Sequence, residues 1–257
     1  MVDQLALLAA FLWGTVLGSF LNVCAYRLPR GESIVSPGSR CPRCGNPIRW
    51  YDNIPLLSYL LLRARCRACG SPISFRYPLV EFASGLLSAL LFLRFGFTPA
   101  YLGFLAFGAA LLVASLIDLD YQIIPDEISL PGILVGLAFS VFNPLVTPLT
   151  AFLGALCGAG GLYLVAEFYY FLAKREGLGG GDLKLLALIG AFLGLKSLVP
   201  VLLLASLTGS VVGIAFTLFY KIKEKRTFAI PFGPFLSLGA LVYLLLPPSF
   251  WASLFPF

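Results

Sequence analysis

Histidine is absent from the 257 residues, which excludes Ser-His-Asp and Cys-His catalysis, the H-E-x-x-H metalloprotease arrangement and histidine ligation of zinc. Charge is also scarce: 12% of the residues are Asp, Glu, Lys or Arg against 59% hydrophobic, and the mean hydropathy is +0.93. A soluble domain of this size needs far more polar surface, so the chain belongs in a bilayer. No basic residue precedes the first apolar run, which follows Met1-Val2-Asp3-Gln4. A cleavable signal peptide opens with positive charge, so this run is expected to remain as an anchor. Without histidine, acid–base chemistry falls mainly to carboxylates.

What the sequence does have is a succession of apolar segments: Leu5 to Tyr26, Pro78 to Phe95, Tyr101 to Ile117, Ile128 to Phe142, Leu149 to Leu172, Leu183 to Leu195, Leu198 to Tyr220 and Phe228 to Leu246. They predict an all-α polytopic membrane protein of about eight passes, the fourth and sixth shorter than the roughly 20 residues of a full crossing. Basic residues set the orientation, because Lys and Arg stay on the cytoplasmic side. With both termini outside, the cytoplasmic connections hold nine Arg between Tyr26 and Tyr77, then Lys174, Arg175 and Lys184, then Lys221, Lys223, Lys225 and Arg226. Of the 18 basic residues only Arg94 and Lys196 fall outside. The expected division is a first transmembrane helix at 1–26, a cytoplasmic four-cysteine insert at 27–77 and a membrane domain of about seven helices at 78–257. The Arg-rich insert is suited to anionic lipid headgroups. Nucleic-acid binding is not expected, since the positive-inside bias already accounts for the charge.

Cys41-Pro-Arg-Cys44-Gly45 and Cys66-Arg-Ala-Cys69-Gly70 are two C-x-x-C-G knuckles separated by 21 residues. Two thiolates three residues apart can take two corners of a tetrahedron, and the following glycine permits a tight turn whose amides face sulfur. A second knuckle closes a four-thiolate shell, which implies structural zinc. Two disulfides are the other reading; a cytoplasmic location disfavours them, and a redox C-x-x-C needs no twin. An insert this small buries too little apolar surface to fold alone, so the metal would supply much of its stability. Cys24 and Cys157 sit singly in apolar segments and are expected to be packed thiols.

Among the acidic residues, Asp118 ends an apolar run in Leu116-Ile117-Asp118-Leu119-Asp120-Tyr121, and Asp182 begins one in Gly179-Gly180-Gly181-Asp182-Leu183-Lys184. Both fall at the cytoplasmic edge, where an ionisable group is a functional candidate. Two carboxylates that approach closely cannot both ionise easily, so one acts as acid while the other activates water. Such a pair hydrolyses peptides without histidine or an open metal site.

These segments, with Gly18-Ser19-Phe20-Leu21-Asn22-Val23, Asn53-Ile54-Pro55-Leu56-Leu57-Ser58-Tyr59 and Arg76-Tyr77-Pro78-Leu79-Val80-Glu81, make the chain resemble the type IV prepilin peptidases, within the wider group of G-x-G-D membrane aspartyl proteases. The resemblance implies removal of a short basic leader from prepilin or pseudopilin precursors at the cytoplasmic face of the bacterial inner membrane. It places the catalytic aspartates at Asp118 and Asp182, with Gly179, Gly180, Gly181 and Lys184 forming the loop around the second. It also implies N-methylation of the new N-terminus with S-adenosylmethionine. Ala64 stands where the family often has glycine, a departure that bears on the methyl transfer.

A basic leader would be repelled by the Arg-rich insert and drawn to Asp120, Asp126 and Glu127, which are expected to help bind it. Helix direction sets Asp118 at the negative end of its helix and Asp182 at the positive end of its own, which assigns Asp182 the base role and Asp118 the proton-bearing one. Two other classes compete. An ion-coupled transporter or channel with broken helices at the two aspartates would be expected to show an internal repeat, and none is evident. A secretion scaffold would leave both aspartates without a task.

Overall fold

The computed structural model describes residues 3–174, 179–220 and 230–255, and each of the eight apolar segments contributes a helix. Among the described residues ten helices follow in order: α1 (Gln4–Arg27), α2 (Leu57–Leu61), α3 (Arg76–Phe95), α4 (Pro99–Tyr121), α5 (Asp126–Phe139), α6 (Pro148–Ala173), α7 (Gly180–Leu193), α8 (Leu198–Tyr220), α9 (Gly233–Leu245) and α10 (Pro248–Leu254). Among the described residues no strand forms, and β-pairing is confined to two isolated bridges, Arg40 with Pro47 and Arg65 with Pro72. The protein is therefore an all-helical, polytopic membrane protein. Arg175, Lys221, Lys223, Lys225, Arg226 and the start of the eighth segment at Phe228 lie outside the described residues.

Among the described residues five helices are long and apolar enough to cross a membrane, α1, α3, α4, α6 and α8, and α9 with α10 make a sixth when taken together across their 111° bend. The fourth and sixth segments are short, as the sequence suggests, and the described part of the eighth is shorter than its apolar run. α5 and α7 have 14 residues each and α9 has 13, so each reaches only about 20 Å at 1.5 Å per residue, against roughly 30 Å of hydrocarbon. The reason is visible for α7: every residue from Leu185 to Leu193 is buried. A helix that is apolar all round and enclosed by other helices is a protein core element.

The chain divides into two compact units within α4, Met1–Val113 and Ala114–Phe257. In the N-terminal unit, Asp3 caps α1 by accepting from the Leu5 amide at 3.0 Å. α1 then lies against α3 at backbone contact: a Cβ on Gly14 would stand 2.5 Å from Ser88 Cβ, and one on Gly18 would stand 2.7 Å from Glu81 Cα. In lipid there is little hydrophobic force between helices, so this small-residue approach is what holds such a pair. Polar side chains in the seam are bonded: Ser88 donates to the Ala10 carbonyl at 2.6 Å, and Asn22 donates to the carbonyls of Gly18 and Tyr77, each at 3.2 Å.

The C-terminal unit uses the same device around α7. A Cβ on Gly190 would stand 2.2 Å from the Gly154 carbonyl oxygen of α6, and one on Gly136 of α5 would stand 2.7 Å from the Phe192 ring. Asn143 donates at 2.8 Å to the carbonyl of Phe192, satisfying an orphan acceptor at the end of α7. α7 is thus fixed by backbone-level contacts, and with it Asp182 in its first turn.

Candidate active site and metal centre

Residues 39–48 and 64–73 form two copies of one loop. Cys41 N–H donates to Asn46 O at 3.0 Å and Gly45 N–H to Cys41 O at 2.9 Å; in the second copy, Cys66 N–H donates to Ser71 O at 2.8 Å and Gly70 N–H to Cys66 O at 2.9 Å. Gly45 and Gly70 hold φ of +69° and +66°, the left-handed conformation that glycine takes without a Cβ penalty. The two loops bring the sulfurs of Cys41, Cys44, Cys66 and Cys69 within 4.8 Å of one another, with Cys41 and Cys69 at 3.9 Å. A tetrahedral zinc with bonds of about 2.3 Å needs sulfurs roughly 3.8 Å apart, so the four thiols fit the ion closely, and none of them is in a disulfide.

The surroundings favour thiolate at Cys41 and Cys69, whereas desolvation and the neighbouring sulfurs push the Cys44 thiol up to about 11 in the absence of a cation. Backbone amides of Cys44 and Arg43 pull the Cys41 thiol down to about 6, and the Ser71 hydroxyl, 3.1 Å from Cys69, lowers that thiol as well. Zinc takes the deprotonated form. Arg67, inside the second knuckle, grips Asp52 through two nitrogens, at 2.9 and 2.6 Å. Its guanidinium holds the Asp52 carboxyl below the usual range. Ser58 is buried and bonds at 3.0 Å to both the Tyr51 carbonyl and the Ile54 amide, tying the Asn53 to Tyr59 segment together.

In the C-terminal unit Asp118 sits in the last turn of α4, only 6% exposed. Its Oδ2 accepts from the Gly233 N–H at 2.8 Å, and Gly233 is the first residue of α9. A Cβ at Gly233 would stand 2.7 Å from that oxygen, so only glycine permits the approach. Gln122 ends α4 in the left-handed conformation, φ +55°, and the chain turns to place Ile124 in the core. A Cβ on Gly181 would meet Ile124 Cβ at 3.0 Å, and one on Gly233 would meet Ile124 Cδ1 at 3.3 Å. Ile124 is therefore a shared wall between the start of α7 and the start of α9.

Asp182, half-buried, occupies the first turn of α7. It lies within electrostatic reach of Asp118. Gly179 is beside its carboxylate, at 3.7 Å from a notional Cβ to Oδ2, and Gly180 opens onto free space. The structure thus brings Asp118, Asp182 and the glycine loop together. Asp120, Asp126 and Glu127 are exposed along the α4–α5 connection, and Lys184 donates to Asp126 Oδ1 at 2.5 Å.

Two family profiles match the chain: the bacterial peptidase A24 N-terminal domain over residues 12–95, and the type IV leader peptidase family over residues 105–214. Proteins described as prepilin leader peptidase/N-methyltransferase align with it. The protein from Neisseria gonorrhoeae is 37% identical over 270 residues, covering 96% of this chain and 92% of its own. The chain belongs to the type IV leader peptidase family. The Pseudomonas aeruginosa relative is 38% identical over 261 residues, 93% of this chain and 89% of its own. The relative from Myxococcus xanthus is 48% identical over 208 residues, 79% of this chain, but this chain spans only 61% of that protein. No solved structure matches. The four cysteines fall in the first matched region of this leader peptidase family member and both aspartates in the second. With its helices, the family makes it a multi-pass protein of the bacterial inner membrane.

Sequence reasoning missed several residues of the site. Gly233 lies 115 residues from the aspartate it holds and beyond the matched regions; its only trace is the Gly233-Pro234 pair, a helix-start signal. Ile124 and the Asp52–Arg67 pair gave no signal. Helix direction is also only part of the field at Asp118. The carboxylate ends α4, yet it accepts an N–H from the start of α9, so both aspartates stand at positive helix ends and the expected electrostatic difference is offset. Cys24 is packed as expected, whereas Cys157 is exposed.

Proposed function

We infer that this protein is a membrane aspartyl endopeptidase that removes the leader from prepilin-like precursors and then N-methylates the new terminus. The observation that carries the reading is the pairing of a buried Asp118, held by the Gly233 N–H, with Asp182 on a helix start that opens at Gly180. Asp182, the more open of the two, takes a proton from water. The water oxygen attacks the scissile carbonyl carbon while Asp118, in its protonated form, donates to the carbonyl oxygen. The tetrahedral diol collapses as the C–N bond breaks, the leaving nitrogen takes the proton now held by Asp182, and one diol hydroxyl returns its proton to Asp118, which restores both carboxyl groups. Gly233 fixes the orientation of Asp118 throughout.

Zinc held by Cys41, Cys44, Cys66 and Cys69 is structural, since four thiolates leave no position for water or substrate. S-adenosylmethionine supplies an electrophilic methyl group on a cationic sulfonium. Glu81 suits such a cation: it is buried, and it accepts from the Leu56 amide at 2.8 Å and from the Ser19 hydroxyl. Leu56 is held there at φ +60°, a strained conformation of the kind found at functional sites.

In this reading α5 and α7 complete, as short crossings enclosed by neighbouring helices rather than by lipid, a path of about eight passes with both termini outside. Residues 27–77 form a cytoplasmic domain in contact with lipid headgroups, and 78–257 form the peptidase domain at whose cytoplasmic edge the aspartates lie. A transporter built on the same aspartates is not favoured by the family. The test is a mass spectrum of a pilin-like precursor after incubation with the purified protein and S-adenosylmethionine. A product cut just before its apolar helix and heavier by one methyl group is expected; an intact precursor contradicts the reading.

A further inference from the structure

The Lys184 ammonium rests on the Asp126 carboxylate, and neither side chain is enclosed, at 40% and 54% exposure. The pair joins the first turn of α7, two residues past Asp182, to the first turn of α5. α7 does not depend on it for position, because Gly190 meets the Gly154 backbone of α6, and the glycines of α5 lie directly on the Leu188 and Phe192 side chains. An exposed ion pair contributes little to stability and exchanges readily. Asp120 precedes and Glu127 follows Asp126 in the chain, and both are exposed, so the carboxylate that carries Lys184 belongs to an acidic rim along the α4–α5 connection. The amine already seated there shows that the rim accepts a primary ammonium in this geometry.

Any substrate cut at the inner edge of the membrane, with its apolar helix in the bilayer and its flank in the cytoplasm, tends to carry Lys or Arg in that flank, because positive charge is retained inside. We propose that Asp126 is the subsite for such a flanking cation and that Lys184 is its internal occupant, displaced when a lysine or arginine of the substrate binds. This rests on the peptidase reading above and adds its selection rule. Exchanging one ammonium for another leaves Asp126 paired at every stage. A neutral flank cannot make the exchange and leaves Lys184 in place. A flank with several cations wins the competition, because the exposed Glu127 beside Asp126 receives what a single lysine side chain cannot cover. Lys184 therefore raises the threshold of positive charge that a substrate must bring, a device that gains specificity by competition.

The probe is a short flank peptide with two lysines, compared with the same peptide carrying two glutamines, bound to the full-length protein in neutral detergent and read by fluorescence anisotropy. Lys184→Gln is expected to bind the lysine peptide roughly three- to tenfold tighter at low salt, with the gain fading as salt screens the contact. Lys184→Arg, which keeps the cation, is expected to match the parent. Asp126→Asn is expected to lose the preference for lysine over glutamine, and the double variant to behave as Asp126→Asn does. Equal or weaker lysine-peptide binding by Lys184→Gln overturns the proposal, as does a gain in Lys184→Arg. A parent protein with no preference between the two peptides at low salt overturns it without any variant. Absence of precursor cleavage by the parent contradicts the peptidase reading alone, and the peptide affinities still decide the exchange.

Discussion

In the N-terminal unit the reactive groups are carried by a repeated ten-residue loop that closes through its own backbone hydrogen bonds and converges four thiols on one point. In the C-terminal unit the reactive groups ride on helix ends brought together by glycines at which a Cβ would clash: Gly190 on Gly154, Gly181 on Ile124, Gly233 on Asp118. The first arrangement fits completion by a metal ion, and the second is closed by packing. The two units should therefore fail differently. Losing the metal is expected to release the loops all at once, whereas the carboxylate site should lose function through displacements of an ångström while its helices stay formed.

The largest effect expected on that contrast comes from the metal. Structural zinc in small four-ligand sites contributes about 10–16 kcal/mol of apparent binding energy that is also folding energy. A strong chelator, or Cys41→Ser, should therefore open residues 39–73 to proteolysis and fast amide exchange while the amides of α7 remain protected. Protection unchanged across 39–73 after the zinc is gone would falsify the ligand-completed half of the comparison. Next is Gly190→Val. With the Gly154 carbonyl 2.2 Å from the first added carbon, the helices must part, at a cost of about 3 kcal/mol or more. Thermal inactivation in detergent should fall by several degrees with zinc content unaltered; a variant as stable as the parent counts against packing as the organiser of this unit.

A smaller and more local effect is expected at Gly233→Ala. The added carbon, 2.7 Å from Asp118 Oδ2, displaces the carboxylate, and a misplacement of that size lowers turnover by up to about 10²-fold. Turnover should fall while thermal stability changes little, and a drop in both together would mean that the glycine serves the fold rather than the carboxylate. The smallest concerns Ala64, which holds φ +57° while donating to Tyr59 O at 2.9 Å and accepting from Ile73 at 2.7 Å. A left-handed alanine costs roughly 1–2 kcal/mol, partly offset by its lower unfolded-state entropy. Ala64→Gly should stabilise the second knuckle by about 0.5–1 kcal/mol, seen as slower zinc loss to a chelator. Faster loss would contradict the strain.

The difference between the units also explains what was legible in the sequence. The knuckles could be read from spacing alone because each is local: the backbone hydrogen bonds that close each loop around its cysteines lie within ten residues, 39–48 or 64–73. Asp118 and Asp182 were legible as charges in apolar surroundings, and the apolar segments as helices. Gly233 was not, because what it supplies is a backbone N–H and an absence of side chain, and neither has a residue-type signature at a separation of 115 positions. The short α7 read as a thin crossing because composition reports burial without saying whether lipid or protein does the burying; its enclosure by α5 and α6 supplies the answer. Ala64 stood out only as a departure from family habit, and its positive φ now gives that habit a physical cause.

Cleavage of a pilin-like precursor by the parent, Asp118→Asn and Asp182→Asn, with zinc measured on the same samples, tests the central claim most directly. The account predicts that either substitution lowers cleavage by about 10³-fold or more while each protein still carries one zinc per chain. Substantial cleavage by either variant, with its zinc retained, would contradict a shared-carboxylate mechanism at Asp118 and Asp182.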